Sequence, residues 1–243
     1  MRIENSVALV TGAGRGLGRT IASELAERGA RKIYGGARDP AAITDPGVHP
    51  VALDIADPGQ VARAAAQCPD VDLLINNAGV MTGSQLIGAP DLAGARQEMQ
   101  VNYFGTLGMC RAFAPVLAAN GGGALVNVLS VVSFFTNPAN GTYGASKAAE
   151  WAMTNGVRIE LARQGTLVVG VHAGYIDTDM AAGIDAPKVS PLDVARQLLD
   201  AVEAGQVEVL VGERTRQVKA ALSRDQELIY PGIQASWDAA HPG

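Results

Sequence analysis

Three things are scarce in this chain, and each absence removes a class of protein. Charged residues make up 18% of the 243, with a formal balance of −5. Such a chain offers no positive field to phosphate backbones, which argues against nucleic acid or an anionic membrane surface as its main partner. Low charge beside 48% hydrophobic residues also excludes disorder and supplies a large core. Cysteine is nearly missing. Cys68 and Cys110 stand far apart with no CxxC pairing, as expected of reduced thiols in a cytoplasmic protein. Long apolar runs are missing too, since no stretch approaches the roughly 20 residues needed to cross a bilayer. The N-terminal MRIENSVALVTG carries one Arg and enters a Gly-rich turn, not a cleavable small-residue site. No metal site is expected.

What is present is an alternation of short apolar runs and longer helical periods. Strands are predicted at 7–11, 31–36, 48–54, 72–76, 124–130, 166–173 and 207–212. Most are rich in Val, Leu and Ile and do not alternate, as for parallel strands buried on both faces. Helices are predicted at 17–28, 59–67, 92–120, 143–164 and 191–204, with a bend or break near Ala114 because Pro115 follows. This order predicts an α/β, Rossmann-type three-layer sandwich, a doubly wound parallel sheet of about seven strands. With no linker or repeat, residues 1–243 read as a single domain. The tail, about 225–243, reads as irregular.

TGAGRGLG (11–18) follows the first strand and opens the first helix. Gly12 suits a tight turn, Gly16 a close approach to a pyrophosphate, and Gly18 close helix–strand packing. The helix N-terminus offers free N–H groups to phosphates, so the turn reads as a dinucleotide loop. Gly14 makes the stretch match both GxxxGxG and GxGxxG. Further on, Tyr143 and Lys147 stand at i and i+4 and share one helix face. A phenol titrates near 10, and a neighbouring ammonium lowers that value toward the range of an acid or base. Ser130 closes a strand at the edge where ligands of parallel sheets bind, so its hydroxyl is placed for a substrate carbonyl.

Taken together, TGAGRGLG, LDIAD, NNAG, VNYFG, the Ser130-to-Tyr143 spacing, YGASK and AGYIDTDM resemble the short-chain dehydrogenase/reductase family in its shorter soluble form. The likeness runs from residue 7 to about 180. It implies Tyr143 as catalytic acid/base and Lys147 as the residue that tunes it and binds the nicotinamide ribose. It implies Ser130 as the group that positions the carbonyl, and Asn102 as the interruption of a helix that links the lysine to solvent. It also implies cofactor contacts at Gly12, Gly14, Arg15, Gly16, Leu17, Gly18, Tyr143 and Lys147. Asp54 and Ile55 would bind the adenine, and Asn77, Ala78 and Gly79 would line the adenosine side, with Asn76 more structural. Gly174, Ile176 (through its backbone) and Thr178 would lie by the carboxamide and pyrophosphate. Ala173 stands where the family usually has Pro. Ser133 reads as a loop hydroxyl, and His172 as a satisfied strand-end histidine.

In this fold a carboxylate at the end of the second strand bonds the adenosine ribose and repels a 2′-phosphate. Ala37 does neither, and Arg38 and Arg15 are expected to form a two-pronged clamp for NADP(H). Asp39 is the reservation, as a substitute for the missing acid. The substrate pocket is expected from Ser130, Val132, Phe134, Phe135, Asn137, Tyr143, Met180 and Ile184, with an apolar lid after Ile176. Arg158 and Arg163 read as a solvated helix face. The expectation is an NADPH-dependent carbonyl reductase acting on a small-molecule ketone or aldehyde, assembled as a homotetramer or homodimer through the two long helices. Reduction of a 3-oxoacyl thioester and oxidation of a secondary alcohol stay open as alternatives. A non-catalytic NADP-sensing regulator is disfavoured, because Ser130, Tyr143, Lys147 and Asn102 are all present.

Overall fold

Every apolar run becomes a strand because helices cover both faces of the sheet. A computed structural model describes residues 1–241. Its strands are β1 (Val7–Thr11), β2 (Lys32–Ala37), β3 (Val48–Ala52), β4 (Leu73–Asn76), β5 (Ala124–Val128), β6 (Leu167–Ala173) and β7 (Glu208–Val211). They form one parallel sheet in the order β3-β2-β1-β4-β5-β6-β7. β1 sits between β2 and β4, so the chain reverses its direction of winding there and a crevice opens at the C-terminal strand ends. Strands three and five end two residues earlier than the sequence predicts, since Leu53–Asp54 and Leu129–Ser130 already turn toward that crevice.

The helices are α1 (Gly16–Glu27), α2 (Pro58–Gln67), α3 (Ala93–Glu98), α4 (Thr106–Ala119), α5 (Gly141–Leu161) and α6 (Pro191–Ala204). Residues of α1 and α6 pack on one face of the sheet, among them Ile21, Leu25, Leu198 and Leu199. Residues of α2 and α4 pack on the other, including Val61, Met109, Phe113 and Leu117.

Two expectations fail here. The long helix does not break at Pro115; α4 runs through it to Ala119. Proline removes only its own N–H bond there, and the interruption lies earlier. Met99–Gly105 is a wide, π-type turn between α3 and α4, a form that recurs at functional sites. The tail is not irregular either. After α7 (Glu213–Ala221), it forms α8 (Asp225–Leu228) and α9 (Tyr230–Ala240). Ile229 and Ile233 of the tail, with Val218 and Leu222 before it, meet Val131, Phe134 and Phe135 in a third, smaller core.

Gly18 fixes how closely α1 approaches β1: a Cβ there would fall 2.2 Å from the Gly12 carbonyl oxygen and 2.6 Å from Asn77 Nδ2. Backbone on one side and a hydrogen-bonded amide on the other leave no flexible partner to move. Gly18→Ala is expected to destabilise the protein by about 3 kcal/mol, toward the upper end for point substitutions, read as a lowered midpoint of thermal unfolding. Gly108→Ala, where a Cβ meets nothing within 4 Å, is the control and should leave the midpoint unchanged or raised.

Candidate active site

The glycine loop comes first because it shapes the crevice. Gly12 and Gly16 take φ of +69° and +52°, a region that other residues enter only with strain. Thr11 Oγ1 accepts the N–H groups of Asn77 and Ala78 at 2.9 and 3.0 Å, tying the loop to the end of β4. Asn77 Nδ2 donates to the Thr11 carbonyl at 3.0 Å, so its side chain braces the loop and does not face a ligand. Asn76, read as structural, is so: its Nδ2 donates to Asn127 Oδ1 at 2.9 Å inside the sheet. Leu17 is buried, leaving only its backbone to the crevice. Helix α1 has no side-chain cap at its N-terminus, so its first N–H groups are open to an anion. Thr178 lies opposite, 3.4 Å from the place of a Cβ on Gly16. This cradle fits a pyrophosphate.

At the outer end of β2, the two basic positions behave differently from expectation. Arg15 is drawn toward Asp179, with Nη1 3.9 Å from its carboxylate and both side chains about four-fifths exposed. Such a pair carries little energy, but it places Arg15 toward the lid and does not support a preformed clamp with Arg38. Arg38 is exposed and has no ion-pair partner among the described residues. Asp39 Oδ1 accepts the Ala41 N–H at 3.0 Å and caps the turn Pro40–Ala42, so this carboxylate already has a local task. Asp54 turns inward in a similar way, accepting the Ala56 N–H at 2.9 Å. Ile55 is buried against Gly105 in the π-type turn.

Around the centre, Ser130, Tyr143, Lys147 and Asn102 come together. Asn102 is fully buried. Its Oδ1 accepts the Val80 N–H at 2.8 Å, and its Nδ2 donates to the Val80 carbonyl and to Ser146 Oγ, each at 2.9 Å. Ser146 Oγ in turn donates to the Tyr143 carbonyl at 2.8 Å, which locks the π-type turn to the start of α5. Lys147 Nζ donates to the Val128 carbonyl at 3.0 Å and to Glu150 Oε2 at 2.7 Å. Gly79 leaves the space beside it open, since a Cβ there would come within 3.7 Å of Nζ and 3.2 Å of Asn102 Oδ1. Gly79 therefore lies beside Lys147 and Asn102.

Lys147 lowers the phenol as expected, but the net shift goes the other way. Burial pushes the Tyr143 phenol above its ordinary value; Lys147 and a hydrogen bond with Ser130 pull it down, while Glu150 and Glu98 push it further up. The net shift is upward because burial outweighs the lysine's pull, with Glu150 adding to it. Burial lowers the Lys147 ammonium, but Glu150 and Tyr143 together more than offset this and its net shift is up. Burial raises the Glu150 carboxyl despite the lysine beside it. Glu150 was not foreseen, although its spacing of three residues from Lys147 on the same helix face was in view. Also unforeseen is Glu98, fully buried, which accepts the Thr82 N–H and hydroxyl at 2.7 and 2.8 Å and the Thr142 hydroxyl at 2.5 Å.

The expected substrate wall is only partly assembled. Val132, Asn137 and Ile184 are half-buried and Met180 is exposed. Asn137 Oδ1 accepts the Ala139 N–H at 3.1 Å and caps a turn. Phe134 does not border the carbonyl position. It is buried and stacks on His172 at 4.1 Å between ring centres, edge-on to Trp151 and under Lys219. Phe135 is buried in the same small core, beside a cavity of about 620 Å³ under α7 and α9 that contains none of Ser130, Tyr143 or Lys147. Gly174 and Ile176 lead out of β6, and Ile176 pairs with Val189 across the lid. Arg158 does not decorate a solvated face: it donates to the Val168 and Val207 carbonyls, each at 3.0 Å.

Behind Ser130, Ser133 is buried, and its Oγ meets His172 Nδ1 at 2.9 Å and the Ser130 carbonyl. His172 Nε2 has no hydrogen-bond partner; Glu208 at 3.8 Å is too far for one. Half of this histidine is satisfied, not all of it, and burial drives its pKa down from 6.5 to about 4. Both cysteines are buried and unpaired, and burial pushes each thiol up to about 12.

Comparison with known proteins agrees with this geometry. The family model described as short chain dehydrogenase matches residues 6–188. The chain is 32% identical over 242 residues to mouse (Mus musculus) dehydrogenase/reductase SDR family member 7B, covering 86% of this chain and 74% of that protein. A crystal structure of a short chain dehydrogenase from Burkholderia cenocepacia J2315 in complex with NADP is 43% identical. The alignment covers 96% of this chain and 99% of that one, with a TM-score of 0.92. A gluconate 5-dehydrogenase from the same strain, in complex with NADP and tartrate, is 25% identical over 86% and 94% of the two chains, with a TM-score of 0.77. The fold and site define a dinucleotide-fold oxidoreductase acting on CH–OH or C=O groups. The chain belongs to the short-chain dehydrogenase/reductase family.

His172 yields a test of this environment. Between pH 6.5 and about 4 the unfolded chain binds a proton that the folded chain refuses. Stability from this group is therefore complete above 6.5 and declines as pH falls toward 4, by about 3 kcal/mol in all. Urea unfolding at pH 7 and at pH 4.5 should show most of this loss in the wild type and a smaller loss in His172→Gln. Equal losses would mean that His172 does not titrate this way.

Proposed function

We propose that the protein is an NADPH-dependent carbonyl reductase that converts a ketone or aldehyde without strong negative charge to an alcohol. The observation that carries the cofactor choice is at the end of β2. Ala37 stands where an acid would bond the ribose, Arg38 is exposed and unpaired among the described residues, and Asp39 caps its own turn. A 2′-phosphate therefore meets a guanidinium and no competing carboxylate directed at it. Arg15 contributes once it leaves Asp179, an exposed partner that gives it up at little cost. The NADP complex of the Burkholderia protein supports the same choice.

The uncapped α1 N-terminus, Gly12, Gly14, Gly16 and Gly18 hold the pyrophosphate in this reading, with Asp54, Ile55 and Ala78 along the adenosine. Gly174, Ile176 and Thr178 border the nicotinamide end. When bound, the nicotinamide supplies the hydride to the carbonyl carbon. Ser130 donates a hydrogen bond to the substrate oxygen, and Tyr143 gives its phenolic proton to that oxygen as negative charge builds there. Lys147 uses two of its three N–H groups on Val128 and Glu150 and keeps one for a ribose hydroxyl. Asn102, fixed at both ends of its amide, holds the π-type turn open beside the lysine. Val132, Asn137, Met180 and Ile184 form the substrate mouth, mostly apolar. Assembly proceeds through α4 and α5, with exposed Phe104 in the π-type turn just before α4 and exposed Ile159 on α5 supplying apolar contact.

Tyr143→Phe should abolish turnover of ketones and aldehydes, by about a thousandfold or more, while NADPH affinity stays within a few-fold by fluorescence titration. Full activity in the variant would reject Tyr143 as the proton donor. Arg38→Ala should weaken NADPH binding by about tenfold to a hundredfold and NADH binding hardly at all, as for loss of one charge-assisted contact. Equal loss of both cofactors would make Arg38 a structural residue.

A further inference from the structure

Glu150 is an unusual neighbour for a lysine that serves chemistry. It is 1% exposed and its Oε2 lies 2.7 Å from Lys147 Nζ. The Thr106 hydroxyl, buried without a closer partner, faces the same carboxyl. A buried ion pair is no economical way to stabilise a helix, since well-packed apolar side chains do as well or better. The same helix face runs from Tyr143 through Lys147 to Glu150, so a negative charge sits one turn beyond the ammonium on the side away from the phenol.

We propose that Glu150 is a positioning residue that sets, through Lys147, the pH range in which Tyr143 exchanges its proton. It holds Nζ against the Val128 carbonyl, and its charge compensates the ammonium as felt at the phenol. The inference rests on Tyr143 being the acid/base. Other groups face this trio from every element packed against it. On α4 the Cys110 thiol, held up to about 12, stays neutral at physiological pH. On β6 His172, held down to about 4, is neutral as well. Glu98 on α3 faces Tyr143 but is bound by three donors from Thr82 and Thr142. Ser130 reaches the phenol as an uncharged hydroxyl. Lys147 is thus the charge that Glu150 acts upon.

Glu150→Gln keeps an acceptor for Lys147 and removes the negative charge. Seven residues of helix, about 10 Å, separate Glu150 from Tyr143. At the effective dielectric of a protein interior, a charge at that distance moves a titration by about one pH unit. The Tyr143 titration, read without cofactor as phenolate absorbance in the difference between each protein and its Tyr143→Phe counterpart, should fall by about that much. The tyrosine-linked limb of the pH profile of kcat/KM should move the same way. Glu150→Asp, which restores the charge, should return part of the shift. An unmoved titration and profile in folded Glu150→Gln would overturn the proposal, whatever the loss of overall rate. Should Glu150→Gln fail to fold, the pair is replaced by Lys147→Met with Glu150→Met. The lysine is the stronger of the two charges at the phenol, so the Tyr143 titration there should lie above the wild type but below that of Lys147→Met alone. Equal titrations of these two variants would overturn the proposal. Activity retained in Tyr143→Phe would sink the acid/base reading itself. An inactive Tyr143→Phe beside an unmoved Glu150→Gln would sink only the role of Glu150.

Discussion

An ammonium taken out of water must be given partners, and Lys147 is almost wholly buried at the C-terminal end of the central strands. Its requirements shape what surrounds it. Strand β5 ends at Val128 and turns, which places that residue's carbonyl under Nζ instead of leaving it to continue the ladder. Helix α5 supplies Glu150 on the same face. Gly79 stays small so that the chain after β4 can pass beside the ammonium. Desolvation of this order is tolerated only where such contacts are complete.

The support continues outward through polar groups that would be costly if left alone. Asn127 bridges Asn76 and the Thr154 hydroxyl, each at 2.9 Å, and Thr154 donates to the Glu150 carbonyl at 2.7 Å. Asn102 and Glu98 tie the loop after β4 to the start of α5. The centre is therefore held from the sheet and from two helices at once, which keeps the phenol and the ammonium in register before any ligand arrives.

Much of this was legible in the sequence. The seven runs were visible because parallel strands buried on both faces read as unbroken Val, Leu and Ile, and TGAGRGLG was visible because its glycines are needed for backbone reasons. Ser130, Tyr143, Lys147 and Asn102 were recognisable from family spacing, and they do meet. What escaped depends on three-dimensional partners. Pro115 looked like a break and is not one; the interruption lies only at Met99–Gly105, around the Asn102 that the family likeness had marked for it. The tail looked irregular since its apolar residues are spread among Gly, Pro and charges, and they find order only against Val131, Phe134 and Phe135. Phe134 looked like a pocket residue because of its position after Ser130; the neutral ring of His172 draws it to the opposite side. Glu150 was passed over because a glutamate on a helix is usually solvated, and only burial marks it as different.

The turn after β2 has a further consequence for how such a protein changes over generations. Asp39 carries the local folding task by capping Pro40–Ala42, while the neighbouring Arg38 side chain is exposed and bonded to nothing among the described residues. The position beside it, Ala37, closes the strand with a methyl group. Residues at this rim can be exchanged without disturbing the core or the catalytic centre, in contrast to Gly18 or Asn102, where every alternative collides or leaves a buried group unpaired. Descendants of this chain are thus free to drift at the rim, and, in the proposed reading of Arg38, selection on the cell's pool of reducing equivalents acts there with little interference from selection for stability.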